Sequence, residues 1–311
     1  MPDHHGSVLV VGSINTDHVV IADVFPAPGQ TVRGTAARSQ TGGKGANQAV
    51  AAALAGAAVR LFAQVGSDPE GGSAKDALAG RGVDVSAVAV IAGKPTGTAW
   101  ITVAEQDNTI VVVPGANEDW PDRGDPLSGA GRTAAVVLAQ LEIPQDIVLG
   151  AAAASTGILV LNAAPAADLS DALLARCDVL VVNEHELAVV ARMPEPFHSP
   201  AAFEQAHHAL RGRGVGAVIT TLGAAGALVT DGHGRSTQIP ALPAIVVDTT
   251  GAGDAFTGVL AAKLAAGVPL LEAARWASVA GSYAVRKAGA QESYPDLAAL
   301  DREMGALSRD A

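Results

Sequence analysis

The residues that could do chemistry are concentrated in three short segments. In Asp248-Thr249-Thr250-Gly251-Ala252-Gly253-Asp254-Ala255-Phe256, three small residues stand directly before a carboxylate. Residues 254–266 carry Phe256, Val259, Leu260 and Leu264 at helical spacing, with Gly267 as a stop. The unpaired N–H groups of such a helix's first turn carry the positive end of its dipole, and small residues let an anion approach them. A carboxylate beside an anion pocket is out of place for simple phosphate binding. It makes chemical sense if Asp254 takes the proton from a hydroxyl that is attacking phosphorus. Taken alone, the segment fits a plain helix that begins with Asp equally well.

The second segment follows a buried strand predicted at 7–13. Asn15 and Asp17 lie two residues apart, so in an extended chain both side chains leave one face. An amide next to a carboxylate suits the vicinal hydroxyls of a polyol. The third segment, Gly42-Gly43-Lys44-Gly45-Ala46-Asn47, opens an alanine-rich helix. It is not a Walker loop, because Gly45 stands where a magnesium-binding Ser or Thr belongs. A glycine turn before a close-packed helix would look the same. Gly212-Arg213-Gly214-Val215-Gly216-Ala217 fits a dinucleotide pattern but runs from helix to strand, the reverse of what pyrophosphate binding needs. It reads as a helix stop and tight turn.

Strand-like apolar runs at 7–13, 59–65, 135–139, 158–162, 178–182, 216–221 and 226–230 alternate with helical segments at 44–56, 70–81, 145–154, 169–175, 184–191 and 201–212. This predicts an α/β fold with a mainly parallel central sheet flanked by helices. Residues 17–40 and 87–113 break the rhythm with β-branched alternation, and Glu105-Gln106-Asp107-Asn108 reads as a hairpin tip. The Pro-containing stretch 193–200 reads as a surface loop.

At 311 residues, with 49% hydrophobic and 16% charged side chains, the chain can bury a large core. No apolar run approaches the roughly 20 residues that span a bilayer, and residues 1–6 lack a signal-peptide hydrophobic region. His4 and His5 read as part of a frayed end rather than a metal site. The single Cys177 excludes an internal disulfide and fits a reducing cytoplasm. A net charge of −11 argues against nucleic acid or an anionic membrane as partner.

Together these segments resemble the ribokinase branch of the PfkB sugar-kinase family, from about Val8 to Pro295. The resemblance is carried by Gly12-Ser13-Ile14-Asn15-Thr16-Asp17-His18, Phe25-Pro26-Ala27-Pro28-Gly29, Gly42 to Ala49 and Pro114-Gly115-Ala116-Asn117. It continues through Gln140-Leu141-Glu142, Asn162-Ala163-Ala164-Pro165-Ala166, Asn183-Glu184-His185-Glu186, Thr221-Leu222-Gly223-Ala224-Ala225-Gly226, the Asp254 segment and Gly289-Ala290-Gln291. It implies a ribokinase-like fold and ATP-dependent phosphorylation of D-ribose at O5, giving D-ribose 5-phosphate. Asp254 would be the general base, with the backbone of Gly251, Ala252 and Gly253 as an anion hole. Asn15, Thr16, Asp17, Gly43, Lys44, Gly45, Ala46, Asn47 and Glu142 would bind the sugar. Asn183 and Thr221, Leu222, Gly223, Ala224, Ala225 and Gly226 would hold the nucleotide, together with Gly253 and Asp254. Glu186 would orient Mg2+ through waters, and Asp248, Thr250, Ala284, Lys287, Gly289 and Ser293 would form a K+ loop.

The resemblance also implies a large α/β domain of residues 1–16, 41–86 and 114–311, with a β lid of 17–40 and 87–113 over the sugar. The exposed edges of a flat lid favour pairing with a second copy, hence a homodimer. Without the resemblance, Glu142 would pass for a surface residue at a strand end, Glu186 for a solvated helix residue and 221–226 for an ordinary hairpin turn. Departures from the family pattern are mild: Ala255 and Thr257 beside Asp254, Trp100 in a lid strand, and a rearranged 286–293 loop. Trp100 is expected to face outward. A sugar sensor that kept the fold but lost catalysis is the alternative from another class, and the intact Asp254 argues against it. Within the family, 2-deoxyribose or a nucleoside is the other possible acceptor.

Overall fold

The computed structural model describes residues 6–105, 107–120 and 133–310. His4, His5 and Gln106 lie outside them. Strand β1 (Ser7–Val11) shows why the fold is layered. Val8 and Val10 point into one core and Leu9 and Val11 into another, so the strand is apolar at every position after Ser7. Parallel neighbours β4 (Ala58–Gly66) and β9 (Val136–Ala139) flank it, and β10 (Ile158–Asn162), β11 (Val179–Asn183) and β12 (Ala217–Thr221) continue the parallel sheet. Antiparallel β13 (Ala227–Thr230) and β14 (Ser236–Ile239) close one edge.

Helices α1 (Lys44–Leu54), α2 (Pro69–Gly80), α7 (Ala252–Ala265) and α8 (Leu270–Ala284) contribute to the first core. Helices α3 (Gln145–Ala154), α4 (Asp171–Arg176), α5 (Glu184–Ala191) and α6 (Pro200–Gly212) contribute to the second. Every residue of α7 from Asp254 to Ala262 is buried. At Gly258 a Cβ would lie 2.5 Å from the Gln48 carbonyl and 2.6 Å from the Ala51 Cβ. Only glycine lets α1 and α7 come this close, and that approach brings Asn47 and Gln48 to Asp254.

The expected strands and helices all form, with ends shifted by a few residues. The structure adds β5 (Val83–Asp84), β6 (Val88–Ile91), β14, α8 and the C-terminal α9 (Leu297–Asp310). A separate small sheet has the order β3 (Gly34–Gly42), β2 (Asn15–Ala22), β7 (Gly97–Ala104), β8 (Asp107–Val113). Set against 17–40 and 87–113, the sheet begins at Asn15, runs on to Gly42, and leaves out β6, which pairs in parallel with β4 of the main sheet. The β7–β8 hairpin brings Ala104 opposite Asp107. Trp100 is 54% exposed and stacks on His18 with ring centroids 4.4 Å apart. The 212–217 pattern ends α6 and leads into β12, as a turn.

Candidate active site

The site begins where the loop after β1 meets the start of α1. Ser13 accepts the Ala46 N–H on its carbonyl at 2.9 Å and the Gly45 N–H on its hydroxyl at 3.3 Å. The contact is so close that a Cβ on Gly45 would sit 2.5 Å from the Ser13 nitrogen. Gly43, at φ +88°, begins α1 without a side-chain cap. Glu142, just past β9, supplies one from far along the chain: its Oε2 accepts the Lys44 N–H at 2.9 Å and the Ser13 hydroxyl at 2.5 Å. A carboxylate at a helix N-terminus is favoured by the dipole, so Glu142 has a structural task here, and it is half-buried.

Asn15 and Asp17 leave the small sheet on one face and are 2% and 8% exposed. Asn117 fixes the first of them: its Nδ2 donates to Asn15 Oδ1 at 2.8 Å, and its Oδ1 accepts the Ile14 N–H at 3.0 Å. At the start of α7 the Asp254 carboxylate is buried. Its Oδ2 accepts from Asn47 Nδ2 at 3.0 Å and its Oδ1 from Gln48 Nε2 at 2.9 Å. Gln291 in turn donates to Asn47 Oδ1 at 3.0 Å. Gly251 caps α7 in the left-handed region at φ +74°, with no side chain bonded to the first-turn N–H groups.

A pocket of about 540 Å³ opens on the other side of that turn. It is lined by Ala252, Gly253 and Phe256 of α7, by Thr221, Gly223, Ala224 and Gly226, and by Ala244, Val246, Thr249 and Ser282. The Thr221 to Gly226 turn joins antiparallel β12 and β13. It uses positive φ at Gly223 and Gly226, and a side chain on Gly226 would collide with the Ile239 carbonyl. The polar cluster thus reaches the Asp254 carboxylate through Asn47 and Gln48, while the largely apolar pocket is lined by its chain neighbours Ala252, Gly253 and Phe256. Residues 6–297 match the family described as pfkB family carbohydrate kinase.

The chain belongs to the pfkB carbohydrate kinase family. It is similar to the ribokinase of Haemophilus influenzae, at 37% identity over 294 residues covering 93% of this chain and 95% of that protein. A deoxyribokinase of Salmonella typhi is 31% identical over 296 residues, covering 93% of this chain and 96% of that protein. The structure of Arabidopsis thaliana ribokinase complexed with ribose and ATP matches with a TM-score of 0.87 and 31% identity, over 96% of this chain and 98% of that one. The activity of this pfkB kinase is that of an ATP-dependent sugar kinase.

Charge is concentrated on the polar side of the kinase site. Burial, then Glu142, Asp254 and Glu292, push the Asp17 carboxyl up to about 7, against the pull of Lys44. For Lys44, burial works against the ammonium, but Asp254, Glu142, Glu186 and Asp17 outweigh it and raise its pKa. Between its unfolded value of 3.8 and about 7, folded Asp17 keeps a proton that the unfolded chain has lost. Stability therefore falls as pH rises through that window, by at most about 4 kcal/mol at about 1.4 kcal/mol per unit. Asp17→Asn is expected to raise the melting temperature of the ligand-free kinase most above pH 7, with the gain fading toward about pH 4. Circular dichroism melts across that range check this, and a pH-independent gain would place the cost elsewhere.

At the start of α5, Asn183 and Glu186 form a capping box. Glu186 N–H donates to Asn183 Oδ1 and Asn183 N–H to Glu186 Oε2, both at 2.8 Å. Glu186 is 8% exposed, so it is no solvated helix residue, and burial raises its pKa. Asp248 clamps 247–250 to the 284–293 loop by accepting the Thr250 and Gly289 N–H groups, each at 2.9 Å. Burial opposes its charge, but these bonds prevail and lower its pKa. Of the expected cation-loop residues, Thr250 and Gly289 bond Asp248, whereas Ala284, Lys287 and Ser293 make local bonds: Ala284 accepts the Lys287 N–H, Lys287 Nζ donates to the Glu292 carbonyl, and Ser293 donates to the Ala290 carbonyl.

Ser13, Gln48, Asn117, Gln140, Gln291 and Tyr294 belong to the surroundings of the site without having been expected there by role. All but Tyr294 stand in the motifs that carry the family resemblance, which gave them no role of their own.

Proposed function

We propose that the protein is a ribokinase, transferring the terminal phosphoryl group of ATP to the 5-hydroxyl of D-ribose to give D-ribose 5-phosphate. The observation that carries this is the buried Asp254 carboxylate in the first turn of α7, bonded to Asn47 and Gln48, in the same turn whose Ala252 and Gly253 line the pocket. Asp254 takes the hydroxyl proton as the oxygen attacks phosphorus, which needs geometry more than strong basicity. The N–H groups of Gly251, Ala252 and Gly253 stabilise charge on the transferring oxygens. Asn15, Asp17, Lys44, Asn47 and Glu142 bind the sugar hydroxyls, with Gly43 and Gly45 permitting close approach. The turn at 221–226 and Asn183 hold the ATP phosphates.

Among the described residues no three carboxylates, histidines or cysteines cluster as a metal cage. Magnesium carried on nucleotide phosphates needs few protein ligands, and Glu186, near Lys44 and Asp254, suits contact with it through water. A monovalent cation would be held by carbonyl oxygens of the two segments that Asp248 joins, and its charge would support the anion hole. The small sheet serves as a lid over the sugar. Its exposed Trp100, Val111 and Val113 form an apolar strip suited to a second copy of the chain. No helix of the described residues is long and apolar enough to cross a membrane. Burial pushes the Cys177 thiol up to about 12, which keeps it protonated and unreactive.

The test is ADP release with magnesium-ATP and ribose, 2-deoxyribose, fructose or adenosine, with and without potassium. The expected result is fastest turnover on ribose, raised by potassium, with light scattering showing twice the 31.0 kDa chain mass. Faster turnover on 2-deoxyribose would change the acceptor. Ribose binding without any turnover would make the protein a sensor.

A further inference from the structure

Three amide side chains stand behind Asp254. Gln48 is on α1, Gln140 follows β9 and Asn162 ends β10; the first two are fully buried and Asn162 is 8% exposed. Gln48 Nε2 donates to Asp254 Oδ1 and to Asn162 Oδ1, both at 2.9 Å. Gln48 Oε1 accepts from Gln140 Nε2 at 2.6 Å, and Asn162 Nδ2 donates to the Val181 carbonyl at 3.1 Å.

The last of these bonds orients the rest. The Val181 carbonyl can only accept, so Asn162 turns its nitrogen to β11 and its oxygen to Gln48. Gln48 must then present its nitrogen to Asn162, which places that same nitrogen against Asp254 and its oxygen toward Gln140. A backbone carbonyl of β11 thus decides which group meets the carboxylate. Gln140 Oε1 is buried without a partner, and a Cβ on Gly12 would collide with it. A buried unsatisfied acceptor is destabilising, a cost tolerated here where Gln140 aims its nitrogen at Gln48.

We propose that Gln48, oriented by Asn162 and Gln140, is a positioning residue for phosphoryl transfer that fixes the plane of the Asp254 carboxylate. The χ2 torsion of an aspartate is soft. Clamping Oδ1 leaves Oδ2, on the Asn47 side, facing the sugar hydroxyl whose proton it receives. Gln48 only donates a hydrogen bond, so that proton remains on Asp254. The proposal rests on Asp254 being the base.

Gln48→Met keeps the volume and removes the donor. The expected result is a kcat lowered about 10- to 100-fold, as for a misplaced reacting group, with KM for ribose and ATP changed by less than about threefold. Because Gln48 acts through one carboxylate, adding Gln48→Met to Asp254→Ala should cost less than about a further twofold, in contrast to independent sites. Gln140→Leu, which leaves both hydrogen bonds to Asp254 in place, should give a smaller fall with the same non-additivity, and serves if Gln48→Met does not fold. Losses that multiply in the double variants, or an unchanged kcat in folded Gln48→Met, overturn the proposal while Asp254 stands as base. Undiminished turnover of Asp254→Ala alone overturns the base and the proposal with it.

Discussion

Asp254→Ala is expected to lower kcat by about 10³-fold, within the roughly 10²–10⁴-fold that general base catalysis supplies. A sugar hydroxyl holds its proton too tightly to ionise at neutral pH, so the proton must leave as the bond to phosphorus forms. Asp254 is 7% exposed and engaged by Asn47 and Gln48, so water cannot readily substitute for it in a fixed position. The sugar's affinity should change no more than about tenfold, the worth of one hydrogen bond. Steady-state kinetics and ribose titration calorimetry on the same preparation separate the two quantities. Equal loss of turnover and binding would reduce Asp254 to a ligand of the sugar.

Gly251→Ala is expected to lower kcat about 10²-fold, the typical effect of losing one aimed donor from an anion hole. Gly251 has φ +74°, where an alanine costs on the order of 1 kcal/mol. Its Cβ would stand 2.5 Å from the Tyr294 hydroxyl and 2.7 Å from the Ala290 Cβ. Neither neighbour has room to retreat, since Tyr294 is 7% and Ala290 1% exposed. The first turn of α7 must therefore shift, and its N–H groups lose their aim. Tyr294→Phe in the same chain removes the nearest contact and should recover part of both kcat and melting temperature. A Gly251→Ala protein that melts lower but turns over normally would show that the turn is not needed for charge stabilisation.

Much of the main sheet was legible because its strands are buried on both faces and its helices are closed by glycine, proline or a capping residue. The Asn183-x-x-Glu186 capping box is written in four consecutive positions. Of the added elements, β14 is a short polar strand, β5 has two residues, and β6 pairs with β4 although it lies among small-sheet segments; the long helices α8, which follows Pro269, and α9 did carry helical signals. At the site, the sequence marked Asp254, Asn15, Asp17 and the two glycine segments, because a carboxylate or amide beside small residues is unusual chemistry in a local window. It said nothing of Asn117 holding Asn15, or of Glu142 capping α1.

What the sequence by itself determined is the periodicity, the helix and turn signals, and the residue types available for phosphoryl transfer. These depend on neighbours within a few positions. Only the tertiary structure decided which of those residues meet. Asn47 and Gln48 reach Asp254 across more than 200 positions because Gly258 lets α1 and α7 touch. The directions of the Asn162, Gln48 and Gln140 amides are set by a carbonyl of β11. Hydrogen-bond satisfaction in a dry interior is a property of the assembled layers, and no local pattern encodes it.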